Sequence, residues 1–284
     1  MADIAGVPHF KIDADKCISC GACVTDCVLK VLEMRDKLPA VALGREDDCF
    51  GCQHCLAICP TGAASVLGLD PEASPSLAGL EFDADDLDLL NLLVRGRRSC
   101  RQFSDQPVAP ELLDKLLRLA AHAPTGVNTL GRHFAVIRDR DVMRAFREKA
   151  VKLVVEAEAA GKVPEDYLWI PEMARSWLAG GKDEIFRDAP HLLVVSTAKD
   201  SPCAAQDGII ALSYFDILAN AHGLGTVWAG LPTGVIMLAP ELRKVFAIPD
   251  DHESLYCMLF GNPAVAYRRG VQREAESVHF VTEI

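Results

Sequence analysis

Two stretches of this 284-residue chain carry the same cysteine spacing: CISCGACVTDCV at 17–28 and CFGCQHCLAICP at 49–60 both read C-x2-C-x2-C-x3-C, offset by 32 residues. Eight of the eleven cysteines lie here. Three thiolates at x2 spacing let one tight loop wrap three corners of a small cubic iron–sulfur core, while the x3 step carries the fourth cysteine away. Structural zinc also uses C-x2-C pairs. A four-ligand ion, however, has no use for two copies of a three-cysteine loop with a trailing fourth. The spacing therefore favours iron–sulfur chemistry. Gly21 and Gly51 are expected to bring backbone amides close to sulfur. Cys100, Cys203 and Cys257 are scattered and read as small core hydrophobes.

A second concentration of chemistry lies in GRRSCRQFSDQPV (96–108). Arg97, Arg98 and Arg101 fall within five residues, with Ser99 among them. Guanidinium forks match phosphate oxygens and a hydroxyl adds a contact, so this is a candidate anion site. On charge alone a solvated basic patch would account for it. Three further segments follow in order: APTGVNTLGRHFAVI (123–137), GLGTVWAGLP (223–232) and GNPAVAYRRG (261–270). Gly223-Leu224-Gly225 follows a helix pattern rather than a strand, so it reads as a cap and turn, not a dinucleotide fingerprint. The eight histidines form no paired metal spacing, and no Ser-His-Asp or Cys-His constellation is assembled.

Residues 8–67 resemble a bacterial two-cluster ferredoxin domain, departing from it at Val28, where that family usually has proline. The resemblance implies two [4Fe–4S] clusters. It places Cys17, Cys20, Cys23 and Cys59 on one, and Cys49, Cys52, Cys55 and Cys27 on the other.

About residues 84–284 resemble the nitroreductase-like flavoprotein family, on all four segments in order, with R-R-S-x-R-x-F the most specific. The departure is Thr129-Leu130-Gly131-Arg132, where many relatives have Ser-Gln-Pro-Trp. This resemblance implies FMN held by Arg97, Arg98, Ser99 and Arg101 at its phosphate, ribityl chain and pyrimidine edge. Pro124, Thr125 and Asn128 would reach the flavin from the partner subunit of a homodimer with FMN at its interface. Gly230 and Leu231 would offer backbone N–H groups near N5, and Arg268 or Arg269 would return to the phosphate. Electrons would come from NAD(P)H or a donor protein and leave to a small organic acceptor, nitroaromatic or quinone-like in vitro; the reverse flow, from NAD(P)H through FMN to the clusters, uses the same parts. An electron relay serving a partner enzyme, or an inactive flavin-binding sensor, are the rival readings.

The elements that must position these groups follow from pattern. ADDLDLLNLLVR (84–95), APELLDKLLRLAAHA (109–123), 139–161, 203–223 and APELRKVFAI (239–248) read as helices. HFAVI (133–137), HLLVVST (191–197), TVWAG (226–230), SLYCMLFG (254–261) and VHFVTE (278–283) read as strands. Helices and strands mix without clean β-α-β alternation, so the fold class is α+β, a small two-cluster ferredoxin domain followed by a helix-covered sheet. The division is 1–70, a Pro- and Ser-rich linker at 71–83, and 84–284. Residues 163–186, rich in aromatics and framed by glycines, are a candidate substrate lid or an aromatic-pinned surface helix.

Composition sets bounds. A net charge of −11 with no basic stripe argues against a nucleic-acid partner. The longest apolar runs fall well short of the roughly 20 residues of a membrane span. MADIAGVPHF lacks the basic start and apolar core of a signal peptide, so the expected location is cytoplasmic.

Overall fold

A computed structural model describes residues 10–77, 79–273 and 277–283. The chain divides into two compact units, residues 1–81 with 127–129, and residues 82–126 with 130–284.

The first unit is built from short pieces. Strand β1 (Lys11–Ile12) precedes helix α1 (Ala22–Asp26), the hairpin strands β2 (Leu32–Arg35) and β3 (Leu38–Val41), helix α2 (His54–Ala57) and strand β4 (Ala64–Ser65). β1 pairs antiparallel with β4, joining the two ends of the unit. β2 and β3 pair antiparallel across Asp36 and Lys37, both in the left-handed region as a two-residue hairpin turn of the right twist demands. Val31, Leu32, Leu56, Ala63, Ala64 and Val66 are buried and make a small core. The expected linker is partly ordered: Asp70 caps a 3-10 turn at Pro71–Ala73, and Glu72 pairs with Lys16 at 3.2 Å.

The second unit begins with helix α3 (Ala84–Gly96), closed at its start by a reciprocal Asp83–Asp86 capping box. It continues through α4 (Pro110–Ala120), β5 (Arg132–Ile137), α5 (Arg140–Ala159), α6 (Trp169–Leu178), β6 (His191–Ala198), α7 (Ala204–Ala221), β7 (Gly225–Trp228), α8 (Gly230–Leu238) and β8 (His252–Gly261). Its antiparallel sheet runs β5-β6-β8-β7. β6 is buried on both faces because its side chains alternate between two cores. Leu192 and Val194 enter one core with Cys257 and Leu259 of β8, packed by α5, α6 and α8. Leu193 and Val195 enter the other with Met258 and Phe260, packed by α4 and α7. α4 buries Leu113, Leu116 and Ala120, the one-sided stripe of an amphipathic helix.

Three expected elements differ. The strand at 226–230 ends at Trp228, and Gly230–Leu238 is a helix, α8. Residues 232–236 are all buried, so the segment shows no 3.6-residue period, and Pro232 suits the first helical turn. Pro240–Phe246 forms 3-10 turns rather than an α-helix, stopped by left-handed Ala247 before an i→i+4 ladder can lengthen. Residues 278–283 take no strand pairing among the described residues, with Val278, Phe280 and Val281 exposed. Among the described residues no helix is long and apolar enough to cross a membrane.

Candidate functional site

In the first unit the eight motif cysteines ring two cavities. Cys17, Cys20, Cys23 and Cys59 line one; Cys27, Cys49, Cys52 and Cys55 line the other. Each trailing cysteine thus faces the loop of the opposite repeat. Backbone donors converge on the sulfurs: Val31 N–H reaches Cys27 Sγ at 3.3 Å and Ala63 N–H reaches Cys59 Sγ at 3.2 Å, positions equivalent under the 32-residue offset. Gly51 N–H donates to Cys49 Sγ at 3.4 Å. Burial alone would raise the Cys59 thiol, but N–H groups of Thr61, Ala64 and Ala63 outweigh it and lower the pKa. Deeper burial outweighs the N–H of Leu56 at Cys55, whose thiol is pushed up to about 12. Among the described residues no three His, Cys, Asp or Glu side chains converge on a single-ion position. The thiols border cavities rather than a point.

The loops repeat in backbone as well as in spacing. Ser19 and Gly51 occupy equivalent positions with φ 57° and 66°, and so do Gly21 and Gln53 with φ 71° and 64°. Each loop needs two left-handed residues, yet each has a glycine at only one of them. Gly21 and Gly51 are therefore not counterparts.

In the second unit the arginine segment leaves the C-terminus of α3 and threads between β7 and the residues after β8. Cys100 N–H donates to Thr226 O at 2.7 Å, Ser104 N–H to Asn262 O at 2.8 Å, and Ala264 N–H to Gln102 O at 3.0 Å. Tyr267 Oη donates to Ser99 O at 3.3 Å. Cys100 is 1% exposed and packs on β7 so closely that a Cβ at Gly225 would lie 2.6 Å from both its Cβ and its Sγ. The second glycine of G-L-G-T is thereby tied to R-R-S-C-R, a coupling that spacing did not reveal.

A cleft of about 380 Å³ opens here, lined by Arg97, Arg98, Cys100, Asn220, Gly225 and Tyr267 among others. Arg98 Nη2 donates to Arg95 O at 3.2 Å, but its buried Nε has no hydrogen-bond partner. Arg97 Nη1, also buried, has no partner of hydrogen-bond geometry and lies 3.5 Å from Asp216 Oδ2 as an ion pair. Buried donors left open at a cleft are the chemistry of an anion site, and a phosphate would satisfy them. Arg101, Arg268 and Arg269 are exposed. Gly270 approaches the Arg95 carbonyl, which brings the 267–270 segment to the end of α3.

Pro124, Thr125, Asn128, Gly230 and Leu231 are not among the residues that line this cleft. Pro124 is exposed, and Thr125 Oγ1 accepts from Leu130 N–H at 3.1 Å. Asn128 belongs to the first unit, where its Nδ2 donates to Phe50 O at 2.9 Å. Val127, Asn128 and Leu130 all hold positive φ, a strain of the kind that collects at functional loops. Gly230 and Leu231 begin α8, so their N–H groups are the first of that helix and are free of its ladder. The candidate lid is pinned along its second half. Ile170 and Ala174 are buried, and the Arg147 guanidinium sits 5.8 Å over the Trp177 ring while binding buried Asp183 at 2.8 Å. Tyr167 and Trp169 at its first turn remain exposed.

A sheet flanked by helices on both faces, carrying a basic cleft and preceded in the chain by a two-quartet thiol domain, defines a redox protein of the α+β class. Residues 94–262, well over half of the chain, match the Nitroreductase family, and the chain belongs to it. Residues 5–63 match the 4Fe-4S dicluster domain. A Methanothermobacter thermautotrophicus protein named NADH dehydrogenase/NAD(P)H nitroreductase is 28% identical over 178 residues, 60% of this chain and 75% of its own. The iodotyrosine deiodinase of Thermotoga neapolitana is 26% identical over 144 residues, 50% of this chain and 73% of its own. The crystal structure of a Bacteroides fragilis nitroreductase with bound FMN superposes with a TM-score of 0.56 at 18% identity, covering 68% of this chain and 98% of that one. That likeness shows the fold.

Proposed function

We propose that this oxidoreductase is a cytoplasmic iron–sulfur flavoprotein that passes electrons between two [4Fe–4S] clusters and FMN to reduce a small organic acceptor. The observation that carries the flavin assignment is the pair of buried, open donors, Arg97 Nη1 and Arg98 Nε, at a cleft that also receives Tyr267. Bound FMN would supply exchange between single electrons and electron pairs, which the clusters alone cannot do. The protein's share is position and charge. Arg97, Arg98, Ser99 and Arg101, with Arg268 or Arg269, would hold the anionic tail of FMN, and the free N–H groups of Gly230 and Leu231 would serve its ring. Cys17, Cys20, Cys23 and Cys59 hold one cluster; Cys49, Cys52, Cys55 and Cys27 hold the other. The cavities they line support that sorting.

The working form is a homodimer in which Pro124, Thr125 and Asn128 complete the partner's flavin site. Supporting this, α3 buries none of its side chains fully and exposes Leu87, Leu89, Leu90, Leu92 and Val94. A helix with so many exposed leucines needs a covering surface. The electron donor is NAD(P)H or a donor protein. The relative named for NAD(P)H chemistry supports the former, and the dicluster domain the latter.

Anaerobically purified protein should contain about eight iron and eight sulfide per chain together with FMN. After reduction, stopped-flow spectra should show reoxidation by at least one member of a panel of nitroaromatics, quinones and halogenated phenols, the last chosen because of the deiodinase relatives. Zinc in place of iron would overturn the cluster assignment, and absent flavin the FMN assignment. Loaded protein that turns over no acceptor would instead be a relay or a sensor.

A further inference from the structure

Asp216 stands on the face of α7 that buries Ala211, Leu212, Phe215 and Ala219, a place where an unpaired carboxylate would cost several kcal/mol. It is 4% exposed, and its oxygens are saturated. Thr226 Oγ1 donates to Oδ1, Asn220 Nδ2 donates to Oδ1 at 3.1 Å, and Trp228 Nε1 donates to Oδ2 at 3.0 Å. The Arg97 guanidinium lies against Oδ2 at 3.5 Å. One buried carboxylate therefore ties the arginine segment to β7, two residues before the free N–H of Gly230.

From this we infer that Asp216 is a positioning residue of the anion site: its charge holds the Arg97 guanidinium at the cleft through Nη1, which stays without a hydrogen bond and so open to the ligand's phosphate. Thr226, Asn220 and Trp228 hold the carboxylate in place by hydrogen bonds, so the ion pair fixes the guanidinium against a carboxylate that is itself anchored. Asp216 carries no ligand contact itself and acts through Arg97. The inference rests on the reading of Arg97 as a phosphate-binding residue, and the test separates the two.

The experiment measures dissociation constants of FMN and riboflavin for the apo-flavin, cluster-containing protein. The readout is the dissociation constant of riboflavin divided by that of FMN, a ratio that reports recognition of the phosphate alone. Arg97→Ala should reduce the ratio about tenfold or more, the value of one charge-assisted contact. Asp216→Asn, isosteric but uncharged, should reduce it to a similar extent with riboflavin affinity nearly unchanged, and the double variant should lose little more. Asp216→Glu should recover part of the ratio. Asp216→Ser, which leaves room for a water in place of the carboxylate, carries the same expectation if the asparagine protein does not fold. If Arg97→Ala leaves the ratio intact, the phosphate reading of Arg97 fails. If Arg97→Ala lowers the ratio but Asp216→Asn and Asp216→Ser weaken both flavins equally, Asp216 is merely structural and the inference is overturned.

Discussion

Replacing Gly225 by alanine tests the coupling, within the second unit, between β7 and the arginine segment that is proposed to hold flavin. Gly225 opens β7 and has no positive φ, so alanine brings no backbone strain there and the cost is steric. The new Cβ would lie 2.6 Å from Cys100 Cβ and Sγ, against about 3.5–4.0 Å for a relaxed carbon contact. β7 and the arginine segment must separate by about 1 Å. Overpacking of that order costs roughly 1–3 kcal/mol, and stretching the Cys100–Thr226 backbone hydrogen bond adds about 1 kcal/mol. For a unit of about 200 residues, a loss of roughly 2–4 kcal/mol lowers the melting temperature by roughly 4–16 °C. Differential scanning calorimetry on the Gly225→Ala protein reads this directly, and retained FMN should fall with it because Arg97 and Arg98 move with Cys100. Cys100→Gly removes both obstructing atoms. The double variant should therefore be destabilised by at least about 1 kcal/mol less than the sum of the single changes. A Gly225→Ala protein melting within about 1 °C of the parent, or an additive cycle, would refute the reasoning.

Other outcomes follow from the same structure. Cys17→Ala and Cys59→Ala line one cavity, so the double variant should hold no less iron than either single variant, whereas Cys17→Ala with Cys27→Ala should lose nearly all of it; iron analysis showing the reverse grouping contradicts the cavities. Gln53→Gly should stabilise the first unit by about 0.5–1 kcal/mol, as relief of a left-handed residue exceeds the added freedom of the unfolded chain, seen as a higher anaerobic denaturant midpoint. Burial holds the His191 imidazole below its ordinary value, so the folded protein resists a proton that the unfolded chain accepts. Stability is then present above about pH 6.5 and declines as pH falls below it, and His191→Gln should flatten that part of the urea-midpoint profile. Tyr167→Ala with Trp169→Ala should change which acceptors are reduced; an unchanged profile would leave 163–186 a surface helix.

Sequence patterns located the chemistry better than the elements around it. The cysteine spacing was legible because ligand geometry fixes it locally, whereas R-R-S-x-R stood out only through the three segments that follow it in order, since on charge alone a solvated basic patch would account for it. β6 and α4 were legible because burial stamps a run or a period on them. α8 was not, since a helix enclosed on nearly every side loses its period, and residues 278–283 alternate like a strand without a ladder to join. Asp216 was hidden inside an apolar helix, and only the convergence of Thr226, Trp228 and Arg97 gives it meaning. The left-handed Ser19 and Gln53 were equally hidden, because glycine marks such positions only where glycine happens to occupy them.

The crossed cavities of the first unit bear on its ancestry. Residues 17–28 hold four thiols and residues 49–60 hold four, yet neither segment alone completes a cavity. A polypeptide with one copy could build a quartet only by associating with a second copy, each lending its trailing cysteine to the other, and would then build two quartets related by a twofold axis. The 32-residue repeat thus has the form of a symmetric pair fused in tandem, in which the fusion converts an association dependent on concentration into one that is intramolecular.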